Sequence, residues 1–462
     1  MKVKNGLREE KNGWVYISVK GNAYDRGFAN GSLVAPELKE VFKMLKYYIY
    51  ASYGIKLNMM VSLVNYFFKP KIQENYPEFF EEIEGIYKGA ISKKVKVSLD
   101  DIIFLNCYFS LDYMYSHFSK LINNNSKLKK KYGTVFPSNG SNVAQEGGKD
   151  RCTAFMAVGK YTKDGKIVCA HNTFENFIDG QYCNIIMDVK PLKGNRILFQ
   201  SLPGCISSGT DFFITSNGII GTETTIGGFN QFELKDPICC RIRQCMQYAN
   251  SLDDCVKILK KNNSGDYANS WLFGDTKKNE IMRIELGLKY VNVERKKSGY
   301  FIGYNAPEDP RIRNLECSNT GYDDIRRHQG ARRVRLTELM NEHKGKLDVE
   351  IGKKILADHY DVYLKKINLC SRTCCSHYEL DDRAFMSQSD RPKPYQPRGA
   401  LDGIVCDTEM AKRMTFTARW GTSCGTPFYK KKFCNDNIIW KNQEPYLKDR
   451  VTQDWTEFTI TK

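Results

Sequence analysis

The chain has 462 residues, 41% hydrophobic and 27% charged, a balance that excludes a disordered or membrane-spanning protein and describes one folded throughout. That length exceeds what one simple core accommodates, so two domains or one large layered domain is expected. The net charge of +17 suits an anionic partner. However, no zinc finger, RNP-like aromatic signature or Gly-Lys-Thr phosphate loop accompanies it, and nucleic acid is not an expected partner.

Residues 1–22 alternate charge and apolarity, read as a strand and turn, and contain no apolar core of the kind a secretory signal needs. A cytoplasmic location is the expectation from that stretch. From Tyr24 to Ser92 apolar residues recur at three- and four-residue spacing, as at Phe42, Leu45, Tyr48 and Ile49, which predicts helices. The most apolar part, MMVSLVNYFF, is too short to span a bilayer and predicts a buried helix. Ser98-Leu-Asp-Asp101 is a capping-box pattern opening another helix. The stretch 123–151 is polar, bears glycines and lacks periodicity, predicting an exposed linker loop.

Short β-like runs follow: CTAFMAVG, KIVCAHN, NIIMDVKP and RILFQS. Asn217-Gly218 between apolar runs predicts a hairpin, since both turn positions accept positive φ. Residues 238–261 read as helical with a restart at Ser251, then come strands at SWLFGD, EIMRIEL, KYVNVER and YFIGYN, and a last helical stretch from Arg332 to Leu364. This order predicts stacked antiparallel sheets covered by helices rather than a parallel βαβ array.

Cys152 sits where the loop meets the first strand. If the chain were cut before it, the new α-amino group, with an unperturbed pKa near 8, would lie beside the sulfur and serve as its base. The other cysteines read as buried thiols rather than a disulfide framework. Cys370, Cys374, Cys375 and His377 are the one cluster that invites a metal, but the spacing lacks a paired C-x-x-C knuckle, and no metal or other cofactor is expected.

The neighbourhood DRCTAFMAVGKYTKDGKIVCAHNTF, followed in order by FQSLPG, DFFITSNGIIGTETTIGGFN, NSGDYANSWLFGD, IRRHQG and SRTCCSHYELD, resembles the phospholipase B-like proteins and the related acyl-coenzyme A:6-aminopenicillanate acyltransferase family. The N-terminal third resembles them more loosely through GNAYDRGFANGSLVAPELKEV. These are N-terminal-nucleophile hydrolases made as precursors. The resemblance implies an α+β fold, a four-layer αββα sandwich of two antiparallel sheets with a helical N-terminal region. It also implies autoproteolysis of the Arg151–Cys152 bond. The expected division is 1–122 as the small chain, 123–151 as the linker, and 152–462 as the catalytic domain, the two fragments staying associated.

In that pattern Cys152 would be the nucleophile, His171 a group that polarises the thiol or orients substrate, and Asn269 the oxyanion donor. Thr224, of the paired threonines 224 and 225, would complete the catalytic set. Arg326 and Arg327 would bind a carboxylate or phosphate, with Arg332 and Arg333 competing for the same place. The implied substrate is a lipid-like acyl ester or amide, which brings phospholipid and peripheral membrane contact into the expectation. Phe155, Phe212, Phe213, Trp271 and Phe273 are candidate acyl-pocket residues. Two alternatives stay open: transfer of the acyl group to an amine, and a non-catalytic basic scaffold. The family's members are exported or lysosomal, at odds with the cytoplasmic expectation.

Overall fold

Strands rich in β-branched and aromatic residues alternate their faces along this chain, and each sheet they form has two sides to bury. A computed structural model describes residues 1–136, 152–209, 212–318, 320–382 and 394–461. Among these residues the strands form two large sheets. The ten-stranded sheet runs, in spatial order, Lys2–Val3, Gly6–Lys11, Trp14–Gly21, Ile185–Pro191, Ile197–Ser201, Phe212–Thr215, Ile219–Thr225, Asn269–Asp275, Glu280–Leu286 and Val291–Lys296. The seven-stranded sheet runs Gly299–Gly303, Cys152–Val158, Val168–Asn176, Asp402–Asp407, Thr415–Trp420 and Thr456–Thr459, with Arg398–Ala400 added beside Val168–Asn176.

Pairing within the two large sheets is antiparallel, as expected, with one parallel pair added where Trp14–Gly21 runs beside Ile185–Pro191. These two strands are joined by a long path through the N-terminal helices, so no tight hairpin imposes an antiparallel direction.

The strand Cys152–Val158 shows how the layers form. Ala154, Met156 and Val158 join the main core between the sheets, whereas Phe155 and Ala157 pack outward with Val168, Ala170, Leu336, Leu339 and Ile355. The outward set lies under helices His328–Glu342 and Val349–Leu356. Across the molecule, helices Ile238–Tyr248 and Leu252–Lys260 bring Cys245, Leu252 and Leu259 into the same core as Phe213, Trp271 and Phe273. The architecture is therefore α+β, with two sheets between helical layers.

The N-terminal helices lock together through glycine. Gly27 and Gly31 on helix Ala23–Leu33 face Gly85 and Gly89 on helix Pro77–Ser92. A Cβ on Gly31 would sit 2.0 Å from the Ile86 carbonyl oxygen, and one on Gly89 would sit 2.1 Å from that of Phe28, so only glycine permits this backbone approach. Buried Glu82 adds ion pairs to Arg26 at 2.6 Å and Arg243 at 3.0 Å, tying the helix pair to Ile238–Tyr248.

Several expected elements hold in detail. Ser98 and Asp101 form the reciprocal capping box, and Ser251 caps the helix restart through the Asp254 N–H. Helix Leu57–Asn75 contains MMVSLVNYFF, and among the described residues no helix is long and apolar enough to cross a membrane.

Others are revised. Residues 1–22, read as one strand and a turn, form three strands of the ten-stranded sheet, and residues 1–122 share its core. Within the expected linker 123–151, Ser126–Tyr132 is helical because Asn125 caps Leu128 and the i,i+4 pair Leu128/Tyr132 is buried. At the Asn217-Gly218 hairpin only Gly218 takes positive φ, at 87°, its N–H bonding the Thr215 carbonyl. The last helical stretch divides into His328–Glu342 and Val349–Leu356, followed by a small ribbon of Tyr360–Asp361 with Lys366–Ile367.

Candidate functional site

Cys152 is the first residue of its strand and pairs with Thr173, two places along from Ala154 opposite His171. Side chains two apart share a face, so Cys152, His171 and Thr173 all belong to the face turned toward the ten-stranded sheet. That face meets Thr224. The Gly303 Cα, opposite Ala154, lies so close to Thr224 that an added Cβ would be 2.4 Å from its methyl and 2.7 Å from its hydroxyl oxygen. Among the described residues the buried Thr224 hydroxyl has no hydrogen-bond partner.

Asn269 is placed differently. It pairs with Thr225, while its neighbour Ser270 pairs with Thr224, and the register is regular through Asp275. Strict alternation therefore turns Asn269 to the face of its sheet away from Cys152. Both of its amide atoms are buried without a hydrogen-bond partner among the described residues, but the expectation that they serve an oxyanion at Cys152 does not fit this facing.

The opposite side of the strand that begins at Cys152 is held by Arg332. Fully buried on helix His328–Glu342, it donates from Nη1 to the Cys152 carbonyl at 2.6 Å and to Thr153 Oγ1 at 2.9 Å. Its Nη2 reaches Asn305 Oδ1 at 2.5 Å. Asn305, at a φ of 70°, in turn donates to the Thr225 carbonyl at 2.7 Å. One guanidinium thus spans the strand that begins at Cys152 and the one that ends at Thr225, using the fixed fork of donors that distinguishes arginine.

Arg332, one of two competitors named from the sequence, is thus bound to the protein's own groups. Arg326 is on the surface, held by Asp324 at 2.9 Å, and Arg327 is the N-cap residue of the helix that carries Arg332. Arg333 binds the Tyr322 carbonyl and Asp323. Asn305 and Asp402 are not singled out by the sequence pattern. Asp402 accepts the Thr173 N–H at 2.8 Å and Gln200 Nε2 at 2.6 Å between the sheets, where burial pushes its carboxyl up to about 6. Nothing in their local sequence marks either residue, because each acts through partners far along the chain.

His171 is fully buried 6.5 Å from the Phe212 ring, and neither ring nitrogen makes a hydrogen bond of good geometry. Burial pushes it down to about 3, offset in part by the Glu223 main-chain carbonyl, so the ring is neutral near pH 7. The unfolded chain takes up that proton near 6.5, binds more protons than the folded chain between about 6.5 and 3, and is favoured as the pH falls through that window. Between pH 7 and 5 the expected loss from this residue is about 2 kcal/mol. Denaturant titrations at the two pH values should show His171→Gln losing less than wild type by about that amount. An equal loss in both proteins would mean that His171 is already charged or exposed.

The aromatic residues expected to line an acyl pocket are all fully buried in packing: Phe155 faces the helix layer, and Trp271 stacks on Phe273 at 5.8 Å. Arg151 lies outside the described residues.

Residues 15–456 match the family model for phospholipase B. The chain belongs to the phospholipase B family. Among similar relatives, Phospholipase-B 81 of Drysdalia coronoides is 28% identical over 56% of this chain and 49% of its own length. Phospholipase B of Crotalus adamanteus is 29% identical over 48% and 42%. Phospholipase B-like 1 of Homo sapiens is 25% identical over 57% and 50%. The chain thus spans about half the length of the curated relatives it matches. A solved structure, that of a mutant conjugated bile acid hydrolase from Clostridium perfringens, overlaps 58% of this chain and 89% of its own at 11% identity with a TM-score of 0.34, too loose a superposition to bear on the site.

Proposed function

We propose that this phospholipase B family member is a hydrolase of acyl esters or amides, activated by scission of the Arg151–Cys152 bond and working through Cys152 as an N-terminal nucleophile. The observation that carries the reading is the position of Cys152, first in its strand and facing the opposite sheet, whose Thr224 packs against Gly303 beside that strand.

Once freed, the α-amino group takes the thiol proton and the sulfur attacks the acyl carbonyl, forming a tetrahedral intermediate whose oxyanion accepts the Thr224 O–H. The protonated α-amine gives its proton to the departing alcohol or amine, and the C–O or C–N bond breaks. Water, deprotonated by the same amine, then releases the acid and restores the thiol. Arg332 holds the Cys152 carbonyl and so fixes the direction of the α-amine. His171, neutral, supplies a polar wall without competing for the proton. The family's phospholipase descriptions favour a glycerophospholipid acyl ester as substrate, and an apolar acyl chain is consistent with them.

Intact mass analysis with N-terminal sequencing of the larger fragment should find Cys152 as its first residue. The matured protein should then release fatty acid from lysophospholipids or diacyl phospholipids, N-acyl amino acids or p-nitrophenyl esters, and thiol alkylation should stop it. Turnover that required an added amine acceptor would redirect the assignment to acyl transfer. Cleaved protein without activity on any of these substrates would point to the non-catalytic scaffold.

A further inference from the structure

Outside the nucleophile strand, the chain gathers a second set of sulfur and imidazole groups. His359, Cys375, His377 and Cys424 each offer one ligand atom, and the four atoms all lie within 4.8 Å of one another. They come from three separated segments. His359 immediately precedes the ribbon strand Tyr360–Asp361, Cys375 and His377 lie two apart in the segment whose His377 bridges Gly399, and Cys424 follows strand Thr415–Trp420. We propose that these four residues form a tetrahedral zinc site.

The two distances from His377 to the sulfurs are those a zinc ion sets. With Zn–S about 2.3 Å and Zn–N about 2.0–2.1 Å, a tetrahedron has a sulfur-to-nitrogen edge of about 3.5 Å. His377 Nε2 is 3.5 Å from Cys375 Sγ and 3.4 Å from Cys424 Sγ. The ring of His359 centres 5.2 Å from that of His377, and its Nε2 is shielded from solvent with no hydrogen bond of good geometry.

The surroundings are those of a metal ligand set. His377 bonds Glu379 Oε1 through Nδ1 at 2.8 Å, which leaves Nε2 for the cluster. This carboxylate–histidine arrangement orients a ligand and raises its basicity. Cys424 Sγ receives the Thr426 N–H at 3.4 Å, a donor that stabilises a thiolate. Two thiolates would neutralise a dication. The mixed sulfur and imidazole set suits zinc rather than calcium or magnesium, which take oxygen. Cys375 and His377 are fully buried and four protein ligands close the coordination shell, so the site is structural rather than catalytic.

This set shares only half its members with the grouping suggested by sequence spacing. Cys370 turns instead to Asp361 at 3.5 Å, and Cys374 packs in the apolar cluster under the helix layer. The site nevertheless bears on the nucleophile strand. Asn172, opposite Thr153, donates to the Cys374 and Leu356 carbonyls at 3.0 and 2.8 Å, and Ser423 also reaches the Leu356 carbonyl. A bound ion would tie these segments to the end of the sheet that carries Cys152.

Elemental analysis of the full-length protein, purified without chelators or metal-affinity steps, should find about one zinc per chain. Protein stripped of zinc and loaded with cobalt should show the intense visible bands of a tetrahedral thiolate complex, a readout that needs no variant to fold. Glu379→Gln should bind zinc about 10–100-fold more weakly in competition with a chromophoric chelator, and Cys424→Ser should lose the cobalt–thiolate bands or reduce them markedly. Folded protein with no zinc and no tetrahedral cobalt spectrum would overturn the proposal, as would a Cys375–Cys424 disulfide found by peptide mapping under non-reducing conditions. None of these readouts depends on turnover, so the zinc site stands or falls apart from the hydrolase.

Discussion

Cys152→Ala should remain a single uncut chain and lose at least about 10⁴-fold in turnover, the scale on which removing a covalent nucleophile acts. Both effects have one cause, since the sulfur would attack the preceding carbonyl during scission and the substrate carbonyl afterwards. The fold should survive, because the substitution removes one sulfur atom from a strand held by pairing to Thr173 and by Arg332, a loss of about 1–2 kcal/mol at most. Mass spectrometry, a thermal melt and a fatty-acid release assay on the same preparation would check the three parts. If the alanine variant matured as wild type does, scission would be the work of another protease. If it also kept its turnover, the nucleophile would have to be sought elsewhere.

Thr224→Val should lower kcat by about 10²- to 10³-fold, as loss of one oxyanion donor does, while KM and the melting temperature change little. Valine keeps the methyl that packs on Gly303 and deletes only the hydroxyl, which has no hydrogen-bond partner among the described residues. Asn269→Ala provides the contrast. Because Asn269 faces the helix layer, its removal should cost less than about 10-fold in kcat, with any larger effect appearing as lost stability. The reverse pattern, with Asn269→Ala crippling turnover and Thr224→Val mild, would return the oxyanion role to Asn269.

These paired expectations show where sequence reasoning reaches its limit. NSWLFGD is legible as a strand from its aromatic and apolar residues, but which face Asn269 takes depends on its register with Thr225 and on which side the second sheet lies. That is a fact about residues on different strands. Likewise IRRHQGARR presents several arginines in a row, and only the packing of helix His328–Glu342 against the seven-stranded sheet buries Arg332 and leaves Arg326 at the surface. The two-stranded ribbon after Leu356 and the helix Ser126–Tyr132 escape a sequence reading because short polar segments carry too little periodicity to override their loop-like composition.

What the sequence by itself determined was local and ordered. It marked the helices from Tyr24 to Ser92, the Ser98 capping box, the strands from Cys152 onward, the α+β class and, through motifs in chain order, the family that the chain-long match establishes. These follow from 2.0- and 3.6-residue periodicities, caps and turn residues, all interactions between near neighbours. The tertiary structure decided what distant segments share. It merged residues 1–122 into the same core as the rest, turned Thr224 toward Gly303 of the other sheet and Asn269 to the opposite face, and brought His359 and Cys424 together around Cys375 and His377. Burial and sheet packing set those juxtapositions. Because apolar surface must be covered whatever its place in the chain, spacing along the sequence does not encode which polar groups meet where that surface is buried.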